Sequence, residues 1–385
     1  MHAQVQGARM YGMPSKEEGL MSKSRGAMQV VRSSSRARST GRTQEETAVR
    51  DQARAGRSGA PLLDVSDLSV EFGTSRGPVA AVNGFDLRVD RGDSVAIVGE
   101  SGSGKSVAMR AVLGLYSQSR TTRVDGEVLF DGVDLRSASR KTLRGIRGER
   151  LALIAQDALS SLNPSLTVGY QISEALRIHR RWSGPACRRR AAELLDMVGI
   201  PSASDRLGDY PHQFSGGMRQ RVLIAAGLAL DPDVLIADEP TTALDVTIQA
   251  QILQLLRDLR AETGMALVMI THDMGVVAET ADRVAVMYAG SVVESGRVRD
   301  VFDSPQHPYT TGLLRAVPRP DRRRERLSSI PGSPPSPSQW PGGCRFHPRC
   351  PHADEGCRVG TINLEPVVSG HSTACRRWKE IACDE

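Results

Sequence analysis

The sequence predicts an α/β fold with a mostly parallel core sheet, an antiparallel β subdomain ahead of it, an inserted helical subdomain and a small Cys-rich C-terminal tail. Three observations carry that prediction. Continuous apolar runs at Leu151 to Ala155, Val234 to Ala237 and Ala266 to Ile270 suit strands buried on both faces, as parallel sheets require. The segment Gly99-Glu100-Ser101-Gly102-Ser103-Gly104-Lys105-Ser106 follows another such run, Ser94 to Val98, and precedes a helical pattern that reaches about Leu115. Residues 166 to 200 then switch period: Ile172, Ala175, Leu176 and Ile178, followed by Ala191, Leu194, Leu195 and Val198, recur at helical spacing.

In chain order, residues 1–60 come first and differ from the rest. They are rich in Ser, Arg, Gly and Gln, hold eleven Lys and Arg against five acids, and can bury little, so a disordered basic tail is expected. That tail accounts for the whole formal charge of +6. The remaining 325 residues are therefore neutral overall, which argues against a nucleic-acid partner. Order is expected from Pro61, where Leu62 to Phe72 alternates like a strand, followed by a Gly-rich turn at Gly73 to Pro78. Val79 to Val89 and Glu127 to Phe130 add further short strands to this antiparallel region.

The helical insertion occupies about 157–215, inside an ordered domain that spans 61–318. Beyond it, Pro318 to Arg326 is basic and Pro-rich, Ile330 to Pro337 is a turn-rich linker, and a Cys-rich region completes 319–385. Cys344, Cys350, Cys357, Cys375 and Cys383 crowd the last 42 residues, while Cys187 stands alone. In a compartment that keeps thiols reduced, such a cluster reads as metal ligands rather than disulfides. His347, His352 and His371 read as ordinary tail residues. The longest apolar runs, Val222 to Leu230 and Met265 to Ile270, fall short of the ~20 residues that span a bilayer, so membrane contact is expected only through a partner.

Each motif has a chemical reason for its residues. In Gly99 to Ser106, a P-loop, glycines let backbone N–H groups curl around phosphates, Lys105 reaches the β- and γ-phosphates, and the Ser106 hydroxyl ligates Mg²⁺. Asp238 and Glu239 close the strand Val234 to Ala237, delivering two carboxylates to the sheet edge where open α/β sheets bind ligands. Asp238 suits the hydrated metal and Glu239 the general-base position that polarises water. Gln156 and His272 end their own strands in the same way, an amide for Mg²⁺ or water and an imidazole for the γ-phosphate. Ser215, Gly216, Gly217, Met218 and Gln220 open a helix with a hydroxyl and uncovered N–H groups, a half-site suited to the phosphate held by a second copy or sister chain.

Taken together, Gly99 to Ser106, Gln156, Ser215 to Gln220, Leu235 to Glu239, Ala243-Leu244-Asp245 and His272 resemble the nucleotide-binding subunit of an ABC transporter, over about residues 62–318. The resemblance implies a P-loop NTPase of the ABC cassette type. It makes these segments the Walker A, Q-loop, signature, Walker B, D-loop (Asp245) and H-loop, and matches Phe72 to the aromatic that stacks on adenine. Ser160-Ser161-Leu162-Asn163-Pro164, Thr241 to Val246 and His307-Pro308-Tyr309-Thr310 are similar to the oligopeptide and dipeptide importer branch, except that Ala158 stands where that branch usually has Pro. The implied function is ATP hydrolysis that energises peptide uptake, with nickel chelates or other small solutes left open as cargo. A soluble non-transport ABC ATPase fits less well, since neither a second cassette nor a long coiled coil interrupts the chain, and a metal-cluster-binding regulatory protein that uses the cassette as a scaffold is the other alternative.

The same resemblance implies the partners: a second ABC ATPase subunit, two transmembrane permease subunits, and an extracytoplasmic substrate-binding protein reached through them. It places the chain at the cytoplasmic side of the cell membrane as a peripheral subunit. Cysteines similar to Cys344, Cys350, Cys357 and Cys375 hold a [4Fe–4S] cluster in this branch. From the residues alone the metal stays open: their separations of five, six and seventeen residues suit a cluster or a tetrahedral zinc, and match neither a zinc ribbon nor a ferredoxin run.

Overall fold

The computed structural model describes residues 60–117, 119–242, 244–317 and 329–381. The expected basic tail, Ala243, the basic stretch Pro318 to Arg326 and Cys383 lie outside these residues. The chain opens on an antiparallel hairpin, β1 (Leu63–Thr74) and β2 (Gly77–Val89). The broad turn expected at Gly73 to Pro78 is reduced to two residues, because Gly73 still pairs with Pro78 and Thr74 with Gly77. β3 (Ser94–Val98) is wholly buried and leads into α1 (Lys105–Val112). β4 (Thr122–Phe130) and β5 (Val133–Asp134) complete a four-stranded sheet in the order β2-β1-β4-β5. After α2 (Arg140–Ile146), β6 (Leu151–Ile154) enters the core sheet.

The helical insertion follows: α3 (Ala158–Ser161), α4 (Val168–Ala175), a π-helical turn at Leu176–Arg180 and α5 (Gly184–Met197). Ile178 was expected on its apolar face but is 59% exposed. The π-turn lies outside the 3.6-residue period used to place it, so the face no longer follows the pattern. α6 (Gly216–Gly227) returns to the core, and Ile172, Leu194, Leu195, Val198, Val222 and Ile224 share one apolar cluster that reaches Ala237 and Leu267 of the sheet. Cys187 is fully buried in that cluster and plays no part in the tail thiols.

β7 (Val234–Asp238), α7 (Val246–Thr263), β8 (Ala266–Thr271), α8 (Met274–Thr280), β9 (Arg283–Tyr288) and β10 (Ser291–Arg297) then alternate. Two short helices, α9 (Val298–Asp303) and α10 (Pro308–Arg315), precede the Cys-rich segment, which adds β11 (Glu365–Val368), β12 (His371–Thr373) and α11 (Trp378–Ile381). The core sheet runs β11-β12-β10-β9-β3-β8-β7-β6. It is mixed rather than mostly parallel: the β9-β3-β8-β7-β6 half is parallel, whereas β10, β12 and β11 add antiparallel pairs. Short antiparallel strands at a sheet edge lack the unbroken apolar runs that mark buried parallel ones. The Cys-rich segment is thus joined to the core, through Glu294↔Thr373 and Ser295↔Ser372.

One consequence positions the site. β3, β8, β7 and β6 are consecutive neighbours with parallel register, so the residues that follow them emerge side by side on one sheet edge. Those residues are Gly99, His272, Glu239 and, two residues beyond the β6 end, Gln156. Among the described residues no helix is long and apolar enough to cross a membrane.

Candidate active site

The P-loop is packed tightly from behind. Gly104, the residue before α1, has φ 102, and a Cβ there would stand 2.6 Å from the Ala81 carbonyl oxygen, so only glycine fits. Gly99 is similarly closed in by the Met287 carbonyl. Lys105 is buried and its ammonium donates to the carbonyls of Gly99 at 2.7 Å and Glu100 at 2.9 Å, and to Ser103 Oγ at 3.4 Å. Burial lowers its pKa, and the carboxylates of Glu239, Asp238 and Glu100 oppose that by favouring the charged form. Ser106 Oγ donates to Asp238 Oδ1 at 2.8 Å, which joins the P-loop to the end of β7. Asp238 is 1% exposed, and burial raises its carboxyl pKa against the Ser106 hydrogen bond.

Glu239 is the hub of the edge. Its φ of 47° places a non-glycine residue in the left-handed region, a conformation that costs energy and persists where surrounding structure fixes it. Its N–H donates to the Ile270 carbonyl of β8 at 2.9 Å, which anchors the strained residue. The carboxylate then gathers three side chains. Oε2 accepts from Gln156 Nε2 and from Thr242 Oγ1, both at 2.9 Å, and Oε1 lies 3.4 Å from His272 Nδ1. Gln156, Asp238, Glu239 and His272, expected as one site, are therefore brought together. Thr242 was quoted in the Thr241 to Val246 motif without a role, since nothing in a Thr-Thr pair says which hydroxyl turns toward the acid.

The Ser215 stretch is open by contrast. Ser215 caps α6, accepting from the Met218 N–H at 3.3 Å, and Ser215 and Gly216 are exposed while Gly217 and Met218 are half-buried. Gln220, expected in the half-site, is 4% exposed. It lies four residues before the fully buried Ile224, and residues so spaced share a helix face, so its side chain turns into the core. Asp245 caps α7 by accepting from the Ile248 N–H at 3.0 Å. Phe72 is half-buried and meets Tyr116 edge-on, with ring centroids 5.4 Å apart.

The tail thiols Cys344, Cys350, Cys357 and Cys375 line one cavity of ≈ 20 Å³, together with His307, Phe346, His347 and His352. All four are free, and burial raises each thiol's pKa, that of Cys375 to about 12, with the other thiols adding to the effect. Among the described residues no three His, Cys, Asp or Glu side chains stand in a ready-made metal geometry. His371 lies away from the cavity, buried with Nε2 2.8 Å from Glu294 Oε1.

Comparison with known proteins places these features. The family model described as "ABC transporter" matches residues 82–242, and "Oligopeptide/dipeptide transporter, C-terminal region" matches 293–357. A peptide import ATP-binding protein of Brucella abortus (strain 2308) is 50% identical over 319 residues, 82% of this chain and 95% of that protein. One from Brucella melitensis biotype 1 is 48% identical over 333 residues, 84% of this chain and 98% of that protein. Among solved structures, the dimeric ATP-binding cassette MJ0796 in a post-hydrolysis state bound to ADP and Pi superposes with a TM-score of 0.55 at 30% identity, over 62% of this chain and 99% of that one. CbiO1 of Clostridium perfringens, part of the ABC transporter complex CbiONQ, gives 0.53 at 30% identity, over 63% and 91%. With its P-loop, carboxylate edge and C-terminal region all in place, the chain belongs to the oligopeptide/dipeptide import family of ABC transporter ATP-binding proteins, and is the ABC-type ATPase subunit of a peptide importer.

Proposed function

We propose that ATP hydrolysis in this subunit runs on the Glu239 hub, with Glu239 as general base, Gln156 and His272 orienting it and the attacking water, and Thr242 fixing the carboxylate. The observation that carries this is the convergence of Gln156, Thr242 and His272 on one carboxylate, next to the Ser106–Asp238 pair. Ser106, Asp238 and Gln156 fit a Mg²⁺ ion, being hard oxygen donors at one sheet edge. When bound, that ion would supply charge neutralisation to the phosphates. Gly99 to Ser106 hold the phosphates through backbone N–H groups, Lys105 turns from its own loop carbonyls to them, and Phe72 meets the base. The variant Glu239→Gln keeps ATP binding and loses at least ~10²-fold in turnover, roughly 2.7 kcal/mol of barrier. Turnover near wild type would remove Glu239 from the base position.

The second half of the machine is the exposed Ser215 surface, which closes on the ATP of an opposing subunit, with Asp245 at the same interface. Closure is favoured only by contacts that exist in the closed state, here the Ser215 hydroxyl and the α6 N–H groups. Two permease subunits dock on the helical insertion at the cytoplasmic face and pass peptides from an extracytoplasmic binding protein. The thiol quartet fits a soft metal by donor type, four sulfurs around one cavity, and a [4Fe–4S] cluster is the reading favoured over zinc. A bound metal would cross-link the tail. Iron and acid-labile sulfide in the purified chain support the cluster, and zinc without iron excludes it.

A further inference from the structure

The P-loop is gripped by the end of the chain. Arg349, 8% exposed and set between Cys344 and Cys350, forms a two-pronged pair with Glu100, Nη1 to Oε2 at 2.7 Å and Nη2 to Oε1 at 3.1 Å. The Glu100 N–H donates to Tyr309 Oη at 2.9 Å, so both its backbone and its side chain are held. The other guanidinium donors are satisfied as well: Nε by the Pro331 carbonyl at 2.8 Å, Nη1 also by Tyr288 Oη at 3.3 Å, and Nη2 by the carbonyls of Ile330 at 3.5 Å and Gly332 at 3.4 Å. A second grip lies beside the first. Trp340 packs on Gly290, Arg345 stacks over Trp340 at 3.8 Å, and the Gly290 N–H donates to the Ser103 carbonyl at 2.9 Å. Two residues of the P-loop, Glu100 and Ser103, are thereby tied to the tail.

The pairing has an electrostatic reason. Glu100 acts through space on the Lys105 ammonium, the group that meets the phosphates, so its carboxylate stands within reach of an approaching polyanion. An unneutralised carboxylate there repels ATP. Bidentate arginine–carboxylate pairs both cancel the charge and fix orientation. A buried arginine is tolerated only when its donors are used, and here they are.

We propose that Arg349 is a positioning residue for ATP: it neutralises Glu100 and sets the P-loop from behind, making the Cys-rich segment a working part of the nucleotide site. This rests on Gly99 to Ser106 being the ATP loop, and Lys105→Ala is the control, since wild-type binding in that variant would sink the loop assignment instead. The experiment measures equilibrium ATP binding and turnover of the full chain as wild type, Arg349→Gln, Arg349→Lys and the double variant Arg349→Gln/Glu100→Gln. The expected result is an ATP Kd raised about tenfold in Arg349→Gln, ~1.4 kcal/mol, with kcat changed less than about twofold. The double variant recovers at least about threefold of that loss, because the repelling carboxylate has gone, and Arg349→Lys falls between Arg349→Gln and wild type. A merely structural arginine gives no such recovery. An unchanged Kd in Arg349→Gln, or a double variant no tighter than the single one, overturns the proposal. If Arg349→Gln does not fold, the comparison of Arg349→Lys with Arg349→Lys/Glu100→Gln decides it, tighter binding in the second again being the expected sign.

Discussion

The two surfaces proposed to meet phosphate are finished to different degrees. The P-loop is closed in behind by Ala81, Met287 and Gly290, its lysine is buried, and its Glu100 is pinned by Arg349 and Tyr309. The Ser215 end of α6 is exposed, and its hydroxyl is turned back to cap its own helix at the Met218 N–H. A surface that grips ligand alone has to be preorganised. One that is completed by an opposing subunit has to remain accessible, and its energy is held back until the two halves meet. On the reading proposed above, the difference between the surfaces is the difference between binding ATP and spending it.

The comparison can be broken at either side. The largest effect is expected at the closed surface: Lys105→Ala lowers ATP affinity by at least ~10²-fold, since a buried charge-assisted donor set is lost, and equilibrium titration with ATP reads it. Ser215→Arg comes next and separates the two surfaces. It leaves ATP binding at the chain's own P-loop within about threefold while abolishing ATP-dependent dimer formation, followed by size-exclusion chromatography with Glu239→Gln as background. A variant that still dimerises on ATP would remove Ser215 from the half-site.

Thr242→Val sharpens the account of the hub. Losing one hydrogen bond to a strained carboxylate is expected to cost about tenfold in turnover, ~1.4 kcal/mol, with ATP affinity little changed, and steady-state assays separate the two. The smallest effect is one of pH. His307 is fully buried with its Nδ1 accepting from the Tyr309 N–H, and burial pushes its pKa down from 6.5 to about 3. Between those values the unfolded chain takes up a proton that the folded chain refuses, so stability is lost as pH falls through that window. Thermal or denaturant unfolding is expected to show ~1 kcal/mol lost between pH 6.5 and 5.5, and a flatter profile in His307→Asn.

What the sequence revealed and what it hid follow from range. The strands that carry the site were legible because burial on both faces demands unbroken apolar runs, and because Gly99, Glu239 and His272 each follow such a strand directly, with Gln156 two residues beyond the end of β6. Adjacent parallel strands then make neighbours of their ends without further information. β11 and β12 are four and three residues long, and β12, on which β11 pairs, gains its own partner from β10, some eighty positions back, so no local period marks them. The burial of Gln220 was not legible because motif wording does not tell which face of α6 points inward. Arg349 lay beyond sequence reasoning altogether: its partner is 249 residues away, and a lone arginine between cysteines in a turn-rich stretch carries no signal.

The distance between Arg349 and Glu100 also orders events during synthesis. The ribosome releases Glu100 early and Arg349 some 249 residues later, so the P-loop is made long before its clasp exists. Contacts of such sequence separation form late and slowly in folding, after local helices and hairpins. If Arg349 positions the P-loop as proposed, the loop gains that hold only when the Cys-rich segment, which also brings Phe346 into the core, has docked. The clasp's share of nucleotide affinity, about tenfold as proposed, is then among the last to be added.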